Sequence, residues 1–117
     1  MSQPWPPPPD LPSIQELVRA ADPEHHLADG APADEYEPEE REIFEALRHR
    51  ATADLLSTDT LPLIEPIWQR SFSLSEEQLA ERRPALLSLT KEIERFFGPD
   101  SAPRTRSQII EENKKPA

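Results

Sequence analysis

"ADEYEPEEREIFEAL", residues 33–47, is the stretch whose reading decides the fold. Its carboxylates crowd around the chain's one tyrosine, and three readings compete: a chemical site, a docking surface, or the acidic front of a helix. The helix reading has the most physical support. Pro38 lacks an amide donor, which is harmless at a first helical position. Glu39, Glu40 and Glu42 then fall in or just past the first turn, where the helix dipole favours anions. Ile43, Phe44 and Leu47 follow at helical period as a buried face, and Arg48, His49 and Arg50 bring positive charge to the C-terminal end. A catalytic pair of carboxylates needs two acids in different environments inside a cleft. Here a loop and a first turn would leave all of them solvated and ionised. The alternate-ligand spacing of a calcium loop is also missing between Asp29 and Glu37. The stretch therefore predicts a helix start behind a solvated acidic loop. A docking surface for a basic protein, built from Asp34, Glu35, Tyr36, Glu37, Glu39 and Glu40, is the functional alternative. In that surface Tyr36 would rest its ring on the helix and offer its hydroxyl to water or to the partner.

Working back toward the N-terminus, "SIQELVRAAD" (13–22) sets Ser13 three residues before Glu16, the spacing of a capping box. Ile14, Leu17, Val18 and Ala21 form its apolar stripe, and Asp22-Pro23 ends it because the residue before proline avoids the α region. The segment between the two helices has no periodicity and reads as a loop. His25 and His26, with Asp22 and Asp29, are its only candidates for metal or enzyme chemistry. Adjacent histidines point apart on most backbones, and their spacing matches no helical ligand pair. The first twelve residues, "MSQPWPPPPDLP", hold six of the chain's 15 prolines and predict an extended arm of polyproline type. Trp5 within it would anchor the arm in a partner's aromatic groove or fold back over the domain's own apolar surface.

Toward the C-terminus, "STDTLPLIEPIWQRSF" (57–72) predicts a third helix capped by Thr60, carrying Leu63, Ile64, Ile67 and Trp68, with a bend at Pro66. A fourth opens on the capping-box pair Ser75 and Gln78. It continues through Leu79, Leu86, Leu89, Ile93 and Phe96 or Phe97, bends at Pro84, and stops at Gly98-Pro99. Residues 99–117 read as a disordered polar tail with only Ile109 and Ile110 to bury. The expected architecture is all-α: a four-helix domain over 13–98 with kinked third and fourth helices, between two arms that bury little.

Composition narrows the function. Ten acids between Asp22 and Glu45 stand against Arg41 alone, so most of the net charge of −10 is local. A basic stripe for phosphates is missing, which speaks against nucleic acid. No apolar run approaches the roughly 20 residues that cross a bilayer, and no secretory leader is visible, so a cytoplasmic protein without a membrane partner is expected. Cysteine is absent. With only Gly30 and Gly98 as glycines, a phosphate-cradling loop is not available, and no cofactor is implied.

Several motifs resemble those of a bacterial family of small helical proteins, domain-of-unknown-function family 1871. The matching residues are Asp22-Pro23, then Asp34-Glu35-Tyr36 with Glu39, then Ile67-Trp68-Gln69-Arg70-Ser71-Phe72, within a similarity that spans residues 13–97. Ala21 and Glu24 stand near where the family often carries a tryptophan and a glycine. The resemblance implies a small helical fold and brings no established activity. The sequence thus reads as a non-enzymatic interaction module of immunity or adaptor type, whose acidic loop and helix start meet a basic partner. The alternative is a small enzyme or metal-binding protein using His25, His26 and the nearby acids.

Overall fold

The structure is a computed structural model that describes residues 8–32 and 34–114. Trp5 and most of the proline arm lie outside the described residues, as do residues 115–117. Among the described residues there are five α-helices and no strand: α1 (Leu11–Ala21), α2 (Glu37–Leu47), α3 (Ser57–Ser71), α4 (Glu76–Phe97) and α5 (Pro103–Lys114), with a short 3-10 turn at Thr52–Asp54. The packing closes a ring, since α1 meets α2, α2 meets α3, α3 meets α4 and α4 meets α1, while α5 lies on α4. Tyr36, Trp68 and Phe97 are the largest side chains fully enclosed in the core. None of the described helices is long and apolar enough to cross a membrane.

Local chemistry explains most of the boundaries, and three differ from expectation. α1 starts at Leu11, capped by Asp10 and not by Ser13: the Asp10 carboxylate accepts the Ser13 N–H at 3.0 Å. Pro12, in the first turn, has no donor to leave unpaired. The end of the expected arm is therefore part of the domain, and Pro9 is already buried. α3 starts at Ser57, ahead of the expected cap at Thr60, although no side chain at its own N-terminus caps it. The cap comes from α4, where the Glu94 carboxylate accepts the Ser57 N–H at 2.7 Å. Thr60 is buried inside the helix, its hydroxyl donating to the Leu56 carbonyl at 3.1 Å. Pro62 and Pro66 in α3 and Pro84 in α4 all sit inside helices that continue past them, with their rings exposed.

α4 follows its sequence signals closely. The Ser75 hydroxyl accepts the Gln78 N–H, and the Gln78 side chain accepts the Ser75 N–H. Leu79, Leu86, Leu89, Ile93, Phe96 and Phe97 are buried. At its end, a Cβ on Gly98 would lie 2.5 Å from the Glu94 carbonyl oxygen, so only glycine fits that close approach.

The third difference is α5, which replaces the expected disordered tail and raises the helix count from four to five. Ile109 is 1 % exposed within the core. Arg106 donates from Nε to the Phe96 carbonyl at 2.7 Å and lies over the Phe96 ring, 4.5 Å from its centroid. An arginine there both occupies a carbonyl at the end of α4 and stacks on an aromatic face, two stabilising contacts of separate origin.

Candidate functional site

Residues 22–32 and 34–36 form no helix or strand, yet the segment is tied to the helices through one buried ring. Tyr36 is fully enclosed. Its hydroxyl donates to Asp22 Oδ1 at 2.6 Å and accepts the N–H groups of Glu24 at 3.1 Å and His26 at 3.4 Å. Asp22 takes the C-cap position of α1 in a left-handed conformation, φ 42°. Its carboxylate also accepts the N–H groups of Leu27 and Ala28. An aspartate tolerates left-handed geometry better than most residues and closes loops of this kind with its own side chain.

The cluster extends inward. The His26 ring stacks on Tyr36 with the planes 3° apart, and Tyr36, Trp68 and Phe72 contact one another as a ring triplet. Glu24, whose side chain is 7 % exposed, accepts from Trp68 Nε1 and from Arg82 Nε through the same oxygen, each at 2.8 Å. The segment is thereby fastened to α3 and α4 across more than forty residues of sequence separation.

Protonation follows from this geometry. Burial, reinforced by the Asp22 carboxylate, pushes the Tyr36 phenol well above its usual range, so it remains a neutral donor. At Asp22 burial opposes the charge, but the hydrogen bonds from Tyr36, Ala28 and Leu27 outweigh it and hold the carboxyl below its ordinary value. This is an anchored, fully bonded pair and offers no free nucleophile or base.

The acidic stretch divides in two, which corrects the picture of uniformly solvated acids. Asp34 and Glu35 are exposed, and Glu37 is half-buried and pairs with Arg41 one turn on. Tyr36, Glu39 and Glu40 are buried and cannot form part of an accessible docking surface. The cause is that α2 lies between α1 and α3, so its first turn faces protein on both sides. Glu40 meets α1, accepting from Arg19 Nε at 3.1 Å and Nη2 at 3.3 Å. Glu39 meets α3 through Ser71. Burial raises the pKa of both carboxyls; the Arg19 fork partly offsets this at Glu40, while Glu42 and Glu35 add repulsion at Glu39.

A pH dependence follows. A carboxyl whose pKa is raised on folding binds more protons in the folded than in the unfolded state. Its contribution to stability therefore falls as pH rises above the ordinary value of 4.5 and returns as pH falls toward it. Urea unfolding of the wild type and Glu39→Gln is expected to show the variant gaining on the wild type from about pH 5 to about pH 7. A gap that stays constant, or that narrows as pH rises, would show that Glu39 is not destabilised by its charge.

The two histidines do not converge on a metal. His25 is exposed at φ 58°, His26 lies flat on Tyr36, and the Asp22 oxygens are already taken by three donors. Among the described residues no group of three or more His, Asp or Glu side chains could hold an ion.

Comparison with protein-family models, with curated proteins and with solved structures finds no match. The site is thus read from its geometry. Glu24, Arg82 and Arg19 escape a sequence reading because their partners lie 58 and 21 residues away, with no local spacing to mark them.

Proposed function

We propose that this protein is a non-enzymatic interaction module of the cytoplasm whose exposed acidic loop meets a basic protein partner. The supporting observation is the anchoring of the loop. Tyr36, Asp22 and Glu24 fix the 22–36 segment to the helices from inside, while Asp29, Asp34 and Glu35 face outward. Among the described residues no lysine or arginine pairs with these three. Pre-organised surface charge favours rapid, selective encounter with an opposite surface more than it favours raw affinity. The partner-facing set is therefore Asp34, Glu35 and Glu37 from the sequence reading, without the buried Tyr36, Glu39 and Glu40 and with the exposed Asp29 added. The arm carrying Trp5 would add a second contact in an aromatic groove.

Kinship with domain-of-unknown-function family 1871 belongs to the same proposal. Four of the residues in that resemblance, Asp22, Tyr36, Trp68 and Phe72, meet around the buried Tyr36 and Trp68 rings, while Asp34, Glu35 and Arg70 are exposed. This favours a motif that shapes the fold over one that performs chemistry.

The test is capture from native lysate by the immobilised full chain, compared with a triple variant carrying Asp29→Lys, Asp34→Lys and Glu35→Lys. Wild type should retain basic proteins at low salt, and lose them in the variant and at salt where the screening length falls to about 8 Å. Equal retention by both chains, or no salt dependence, would sink the reading.

A further inference from the structure

A pocket of about 310 Å³ opens between the start of the 22–36 segment and the middle of α4. Two prolines, Pro23 and Pro84, give it apolar walls, and Glu24, Glu81 and Arg82 supply its charge, with the exposed His25 alongside. The Glu24 side chain is more than nine-tenths buried, and one of its oxygens accepts both the Trp68 and Arg82 N–H groups. Its other oxygen accepts no hydrogen bond from any described residue. Arg82 is met twice, by Glu24 at 2.8 Å and by Glu81 at 3.6 Å, so the pocket holds two carboxylates against one guanidinium. Pro84 brings no N–H to the helix, which leaves the Ala80 carbonyl one turn earlier without its usual donor. The charge of the lining is therefore tipped to the negative, two carboxylates beside one guanidinium.

We infer that this pocket seats a cationic side chain of the partner, arginine above lysine. A planar guanidinium offers several N–H donors to the open Glu24 oxygen and to the Glu81 carboxylate beside Arg82, whereas an ammonium acts as a point charge. The aliphatic stem of such a residue packs along the two pyrrolidine rings, as long basic side chains do on apolar walls. The inference deepens the reading of a basic partner and rests on it, because it names the residue class that the partner would insert.

The test uses the full chain alone, with N-acetyl-argininamide as the probe. The Trp68 indole N–H donates to Glu24, so its NMR signal, told apart from that of Trp5 by a Trp5→Phe variant, reports directly on the pocket. A saturable shift of that signal is expected with argininamide and not with the neutral citrulline analogue at matched ionic strength. Glu81→Gln, an exposed change, should weaken the binding about two- to fivefold, as loss of an exposed ion pair does. Glu24→Gln, which can still accept from Trp68 through its amide oxygen, should weaken it further, with a thermal melt confirming that the chain folds. No saturable shift, or an equal shift with the citrulline analogue, would overturn the inference. The charge reversals at Asp29, Asp34 and Glu35 lie outside the pocket, so failure there and failure here are separate results.

Discussion

Replacing Trp68 with alanine is expected to destabilise the protein by about 3–5 kcal/mol, at the upper end for a single truncation. Trp68 is fully buried and touches both Tyr36 and Phe72. Removing its ring opens a cavity at the meeting point of α3 and the 22–36 segment, and the surrounding rings can refill only part of it. Its indole N–H is also one of two donors to the Glu24 oxygen. Trp68→Phe keeps an aromatic ring and removes that donor, so it should cost about 1–3 kcal/mol. Urea unfolding followed by far-ultraviolet circular dichroism measures both variants without relying on the lost fluorophore. Hydrogen exchange at the Leu27 and Ala28 amides supplies a second readout. Those amides are held by Asp22, and Asp22 is held by Tyr36. An alanine variant within about 1 kcal/mol of wild type would mean that the ring triplet is not a structural centre.

The second large effect lies at the other end of the chain. Ile109→Ala should cost about 2–5 kcal/mol, because its side chain is enclosed in the core and not part of a free tail. Cutting the chain after Gly98 should cost at least as much, since it also removes Arg106 from the Phe96 and Phe97 rings. The same melts decide the matter. If both changes leave the transition where it was, α5 contributes nothing and the tail reading is restored.

The two outcomes bear on how much of this protein is legible in its sequence. Local rules placed α4 well, because Ser75 and Gln78 cap each other three residues apart and the apolar stripe runs from Leu79 to Phe97. They placed α2 as well, because Pro38 and the acids behind it mark a helix start wherever they occur. What they could not say is which of those acids meet water. The helix dipole favours Glu39 and Glu40 whether they face solvent or protein, so their burial depends on α1 and α3 closing over them. The start of α3 is not legible for a related reason: its cap, Glu94, lies 37 residues away. α5 is not legible because, among its described side chains, Ile109 alone is fully buried, too faint a stripe for periodicity to register. The central cluster was half visible. The contact of the Tyr36 ring with the start of α2 is legible, but its hydrogen bonds to the Asp22 side chain and the Glu24 backbone join positions that no repeat links.

The three exposed prolines inside α3 and α4 carry one more consequence. An interior proline disfavours an isolated helix by about 3 kcal/mol, and Pro62, Pro66 and Pro84 fall on the two helices that form the largest shared interface. Severed from that interface, neither segment would hold its coil, so the unfolded chain should retain little residual helicity there. Backbone order and side-chain packing are therefore expected to arise together there, with helix formation in α3 and α4 depending on their docking and not on the growth of either alone.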